Sequence, residues 1–308
     1  MTKKEFFDKK SSRDCDISPL KQASSPLNSI ISPLKMALSS LNDVFYPITL
    51  LKCPFFYTSA YGKSIFAAPI VYEIKCLMMI NKKIVAFGDS IMKGVVAAAD
   101  TQNPRYVTSD EGFLKRCERI FGMKIYNYAC FGSTTLNGLK YLDRHLKDIQ
   151  DADYAFLEFG GNDCDYNWKE ISEKPDEQHY PKTGMMDFIS HYTELINRVI
   201  HLKVKPVILS LPLIDAERYF NFFSVTLNRN NILQWLHGKV SNIYHWHEMY
   251  NVELFKIASR FNIPIIDITT PFLREKNYQD YLCSDGIHPN EKGHALIASA
   301  ICEYSRNL

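Results

Sequence analysis

Residues 83–90 read KIVAFGDS, an apolar run from Lys83 to Phe87 followed by Gly88-Asp89-Ser90. The run reads as a strand buried on both faces, and the glycine, aspartate and serine after it read as a turn. The same pattern recurs down the chain. Lys124–Ala129 (KIYNYA), Tyr154–Phe159 (YAFLEF), Pro206–Leu211 (PVILSL) and Ile263–Ile268 (IPIIDI) give four more strands. Helical patterns lie between them at Glu111–Phe121, Thr134–Ile149, Met186–Leu202 and around Ile243–Arg260, and the last runs over Glu291–Tyr304. Five strands separated by helices predict an α/β fold with a parallel sheet covered on both faces. Right-handed crossovers then make a three-layer α/β/α sandwich. Ligands of such sheets bind beyond the carboxyl ends of the strands, so chemistry is sought just after each strand.

Those positions carry a consistent set of groups. Gly88-Asp89-Ser90 follows the first strand and Gly132 the second. Gly160-Gly161-Asn162-Asp163 follows the third, and Asp285-Gly286-Ile287-His288-Pro289 comes after the fifth, before the last helix. Each type suits acyl transfer. A serine hydroxyl becomes a useful nucleophile once a base takes its proton. Histidine, with an ordinary pKa of about 6.5, suits that exchange, and a carboxylate on its other ring nitrogen fixes the tautomer. Asp285 lies three residues before His288, so one turn of loop can hold both. The tetrahedral intermediate needs donors aimed at its oxyanion. The backbone N–H groups of Ser90 and Gly132 and the side-chain amide of Asn162 can supply three, and Gly132 lets a substrate approach its N–H closely. Each motif alone is a weak signal. Their order, each in a segment that follows a strand, is a strong one.

The chain from about Asn81 to Leu308 resembles the SGNH/GDSL hydrolase superfamily of esterases and lipases. The resemblance rests on FGDS with Ser90, YACFGST with Gly132, FGGND with Asn162, and DGIHPN with Asp285 and His288. It implies a flavodoxin-like five-stranded sheet and ester hydrolysis without a metal or other cofactor. It also implies Ser90, Asp285 and His288 as catalytic residues, with Ser90, Gly132 and Asn162 forming the oxyanion hole. Short-acyl esters of carbohydrates and lysophospholipid-like esters are the two expected substrate classes. An acyltransferase using the same acyl-enzyme, and a non-catalytic binding module on the same fold, remain as alternatives.

Neighbouring residues have plainer readings. Asp89 is expected to cap the helix after its own turn, and Asp163 to brace its loop. Cys130, Cys164 and Cys283 read as small packing residues beneath tight loops. His245-Trp246-His247-Glu248 falls in a predicted helix, where metal ligands would be spaced by three or four, so a metal site is not expected there. His294 is expected to be structural or solvated. Segments 164–185 and 213–250 look like insertions in the 78–308 catalytic domain. Their many aromatic residues either wall a pocket above Ser90 or bury one another as an added layer.

Composition bounds the remainder. The 308 residues are 46% hydrophobic and 23% charged, with 36 basic and 34 acidic side chains and a formal net charge of +2. That balance gives no electrostatic case for nucleic acid. None of the eight cysteines forms C-x-x-C, so zinc-ribbon and thioredoxin-like readings lack support. No long uncharged apolar stretch predicts a transmembrane segment, and no signal peptide is evident, so the expected location is the cytoplasm. Oligomeric state is not readable. Residues 1–77 repeat Ser-Pro-Leu at Ser18, Ser25 and Ser32. Proline every seven residues disfavours a coiled coil, so a poorly ordered or irregular N-terminal extension is expected, with a lid or docking segment, or a biological start at Met78 or Met79, as alternatives.

Overall fold

A computed structural model describes residues 82–97 and 105–306. The Ser-Pro-Leu repeat, the expected extension over 1–77 and the alternative start at Met78 or Met79 lie outside the described residues.

The strands are β1 (Lys83–Gly88), β2 (Val95–Ala97), β3 (Tyr106–Thr108), β4 (Lys124–Asn127), β5 (Tyr154–Glu158), β6 (Lys205–Leu209) and β7 (Ile265–Ile266). The helices are α1 (Ser90–Lys93), α2 (Phe113–Phe121), α3 (Thr135–Arg144), α4 (Leu146–Gln150), α5 (Trp168–Glu173), α6 (Met185–His201), α7 (Ala216–Phe223), α8 (Arg229–Trp235), α9 (Ser241–Phe261), α10 (Thr270–Leu273) and α11 (Glu291–Arg306), with a 3-10 turn at Tyr278–Tyr281. The main sheet has five parallel strands in the order β4-β1-β5-β6-β7. This is the flavodoxin-like order, and the direction of strand addition reverses between β1 and β5.

Alternation along β1 builds both sides of the sheet. Ile84 and Ala86 join the core under α2 and α11, while Val85 and Phe87 join the core under α3, α6 and α9. All four are fully buried, which explains the uninterrupted apolar run of a central parallel strand. Edge strand β4 is instead half exposed. A third apolar cluster lies apart from the sheet. It joins Trp168 and Ile171 to Ile214, Phe220, Ile232 and Ile243, so it is made from the segments expected as insertions.

Three local departures from the expected elements have physical reasons. The helix expected over Thr134–Ile149 is broken at His145, whose ring stacks on Tyr128 and whose Nδ1 lies 3.3 Å from Asp148. The strand expected over Ile263–Ile268 keeps only two residues, because Asp267 turns the chain by accepting from the N–H groups of Thr269 and Thr270. The β2–β3 hairpin was not expected, since three residues per strand carry too little periodicity to register.

Candidate active site

β1 and β5 pair in register up to Gly88 and Glu158, so the turns after them emerge side by side at the reversal point. Ser90 opens α1. Asp89 caps that helix, its Oδ1 accepting from the N–H of Ile91 at 2.8 Å. The Asp89 Oδ2 accepts from Asn162 Nδ2 at 2.9 Å. The capping aspartate therefore also ties down the asparagine of the neighbouring loop. An amide nitrogen carries two hydrogens, so Asn162 keeps a second donor.

The third element is the loop before α11. Asn290 holds its end by accepting from the N–H groups of Lys292 and Gly293 and donating to the carbonyls of Asp280 and Leu282. Asp285 Oδ1 accepts from the N–H groups of Ile287 and His288, both at 3.1 Å. Its Oδ2 lies 2.6 Å from His288 Nδ1, and His288 Nε2 lies 2.8 Å from Ser90 Oγ. Asp285, His288 and Ser90 thus form one buried hydrogen-bonded chain across the sheet edge. Gly286 sits at φ 78°, and a Cβ there would come within 2.6 Å of the Asp215 carbonyl oxygen. The loop can dock on the start of α7 only because this residue has no side chain.

Gly132 occupies an exposed turn after β4 at φ 71°, and a Cβ there would meet nothing within 4 Å. It does not line the cavity described below, although the adjacent Phe131 does. Asp163 braces its surroundings as expected, but over a longer span. Its carboxylate accepts from the N–H and hydroxyl of Thr135, joining the loop after β5 to the start of α3.

Charge is handled unequally among the buried carboxyls. Burial opposes ionisation of Asp285, but hydrogen bonding to His288, the positive charge available there and the two backbone donors outweigh it. Its carboxyl is therefore held below the usual carboxylate range. Glu158, on the strand beneath Ser90, is fully buried. Burial, followed by the charge and hydrogen bonding of nearby Asp89, pushes its carboxyl well above the usual range. Glu158 Oε2 accepts from Met92 N at 3.2 Å, while Oε1 has no other partner in good geometry among the described residues. Burial raises the Asp89 carboxyl as well, but the N–H of Ile91 and the amide of Asn162 favour its charged form, so the larger upward shift falls on Glu158. Glu158 was missed in the sequence, although a glutamate inside the apolar run YAFLEF is a visible signal.

The remaining candidates are quieter. Burial pushes the Cys283 thiol up to about 11 and Cys164 well above its ordinary value, which leaves both as poor nucleophiles. Burial lowers His294 to about 4, so it is a neutral core residue stacked near Phe113. His247 is buried and His245 exposed on α9, so the two do not converge. Among the described residues no group of three His, Cys, Asp or Glu side chains is placed to hold a metal. No described helix is long and apolar enough to cross a membrane.

A cavity of about 310 Å³ opens over Ser90, with Asn162 and His288 on its floor and Phe131, Trp168, Phe222 and Trp246 among its walls. Aromatic residues from both expected insertions therefore do two things: they pack on one another and they line the cavity.

Comparison with known proteins agrees with this architecture. The uncharacterized protein YpmR of Bacillus subtilis (strain 168) is 24% identical over 224 residues, covering 71% of this chain and 79% of that protein. The crystal structure of LAE5, an alpha/beta hydrolase enzyme from the metagenome of Lake Arreo, Spain, matches with a TM-score of 0.51 at 18% identity, covering 73% of this chain and 95% of that one. A catalytic mutant of Axe2, an acetylxylan esterase from Geobacillus stearothermophilus, matches with a TM-score of 0.50 at 16% identity, covering 74% and 96%. At these identities the structural likeness establishes the fold. The model of the GDSL-like Lipase/Acylhydrolase family matches residues 84–301, so the chain belongs to that family and is an ester-bond hydrolase.

Proposed function

We propose that this hydrolase works through an acyl-enzyme on Ser90, with His288 as general base and Asp285 as its orienting carboxylate. The observation that carries the reading is the continuous hydrogen-bonded chain from Asp285 through His288 to Ser90. His288 Nε2 takes the hydroxyl proton as Ser90 Oγ attacks the ester carbonyl. Asp285 keeps Nδ1 protonated and stabilises the imidazolium. The oxyanion is met by the N–H of Ser90 and the free amide hydrogen of Asn162, with the N–H of Gly132, on the turn beside the cavity, as the third donor. Collapse of the intermediate expels the alcohol, which takes the proton from His288. Water, activated by the same histidine, then releases the acid.

The substrate is a short-acyl ester of a carbohydrate or a lysophospholipid-like ester. The aromatic walls of the cavity suit either a sugar face or an acyl chain. Turnover of p-nitrophenyl acetate by the Ser90→Ala variant tests the mechanism. A loss of about 10³-fold or more, with an unchanged circular dichroism spectrum, is expected. Retained turnover would refute the nucleophile. A series of p-nitrophenyl esters of increasing chain length separates the two substrate classes. The carbohydrate reading predicts a maximum at acetate, and the lysophospholipid-like reading a rise with length.

A further inference from the structure

The hairpin β2–β3 delivers a residue to the site that the family motifs do not contain. Tyr106 Oη lies 2.9 Å from Asp285 Oδ2, the same oxygen that faces His288 Nδ1. The Tyr106 ring lies 5.0 Å from the His288 ring and 5.3 Å from Phe131. The hairpin is anchored where this contact needs it. Ala97, paired with Tyr106 in the hairpin, donates its N–H to Cys283 Sγ at 3.3 Å, on the loop that carries Asp285.

The direction of the hydrogen bond follows from the two groups. The Asp285 carboxyl is held below its usual range and is ionised, so it accepts. Burial and that neighbouring negative charge push the Tyr106 phenol up, so it stays protonated and donates. The buried carboxylate is then held by the N–H groups of Ile287 and His288, the His288 ring and the Tyr106 hydroxyl. Tyr106 is the one among these that comes from outside the loop.

We propose that Tyr106 is a positioning residue for hydrolysis, orienting the Asp285 carboxylate and drawing off part of the negative charge it presents to His288. The proposal rests on the reading of His288 as the base. Other titratable groups around the pair are Asp89 at the nucleophile turn, Cys283 on the same loop and His294 on α11. Asp215 and Arg218 lie against Gly286 of the same loop.

Tyr106→Phe removes the hydroxyl and keeps the ring. Its kcat and KM for p-nitrophenyl acetate are measured from about pH 5 to about pH 9, the window that spans histidine titration. Without the donor, the carboxylate bears more charge toward the imidazole, and the protonated imidazolium persists to higher pH. The acidic limb of the kcat/KM profile therefore moves to higher pH by about half a unit. The plateau kcat falls by about tenfold, the worth of one hydrogen bond to a charged group, and KM changes by less than about twofold. An unchanged kcat with an unmoved limb overturns the proposal. So does a rise in KM alone, which would make Tyr106 only a wall of the cavity. Ser90→Ala run in parallel keeps the two failures distinct. Activity in that variant refutes the nucleophile, whereas an inactive Ser90→Ala with a wild-type Tyr106→Phe refutes only the tyrosine's role.

Discussion

At the carboxyl edge of the sheet the polar atoms of the loops are tied to one another. Asp89 holds both a helix N-terminus and Asn162, and Asp285 accepts from both backbone and side chains. In the layer above, formed by residues 166–171 and 214–246, contact is mainly ring against ring. Trp168 stacks on Phe223 at 4.4 Å, and Trp246 lies within 5.1 Å of both Tyr166 and Trp235. At its rim the Asp165 carboxylate accepts from Trp168, Tyr219 and Lys182. The first region is specified atom by atom, so removing one group leaves a directed partner unpaired. The second is redundant, so removing one ring leaves others in place. Under the proposed mechanism, the edge decides whether the ester is cleaved and the aromatic layer decides which ester is taken.

Substitutions sharpen this contrast. The largest effect is expected for Asp285→Asn, which preserves shape but loses the charge that orients His288. A fall in kcat of about 10³- to 10⁴-fold should appear in steady-state kinetics, and an effect under about tenfold would break the account of the edge. Asn162→Ala should lower kcat by about 10²- to 10³-fold with little change in KM, as expected for a donor that acts chiefly on the transition state. An increase in KM alone would move Asn162 into the binding class. Trp246→Ala, on the aromatic side, should act through specificity. It is expected to lower kcat/KM for the preferred longer or bulkier ester by about tenfold, with acetate turnover within about threefold of wild type. Equal losses on every ester would mean that the aromatic layer is as tightly specified as the edge.

The smallest effect is a change in stability. Glu158 has a folded-state pKa raised above its unfolded one. The stability linked to its protonated form is therefore complete below the ordinary glutamate range and is lost as pH rises toward the folded value. Glutamine has no proton to lose and can still donate. Glu158→Gln should raise Tm by a few degrees at about pH 8 and by less at about pH 5, a shift of about 2–4 °C corresponding to 1 kcal/mol in a domain of this size. A gain that shrinks as pH rises would contradict a protonated Glu158.

Most of the sheet was legible because central strands announce themselves. Ile84 to Phe87 are buried on both faces, so a central strand is written as an unbroken apolar run, here ended by a Gly-Asp-Ser turn. Ser90, Asn162, Asp285 and His288 were legible as chemistry-bearing residues placed after strands, and the fold brings all four to one edge. Gly132 was legible as a residue, and the structure sets it on an exposed turn beside the cavity. Tyr106 was not legible. It sits in a three-residue strand, and its partner Asp285 is 179 residues away, so no local pattern marks it. The dual role of the aromatic segments was undecided for a related reason. Packing and cavity lining demand the same residue types, and only the spatial arrangement tells them apart.

The proposed mechanism stands on acylation of Ser90 Oγ. A fluorophosphonate probe transfers its phosphonyl group to an activated serine hydroxyl with loss of fluoride, and peptide mass spectrometry then locates the adduct. The adduct is expected on the peptide bearing Ser90, at close to one per chain, with none in Ser90→Ala. An esterase-active preparation that carries no adduct at Ser90, or carries it on another residue, would contradict that mechanism.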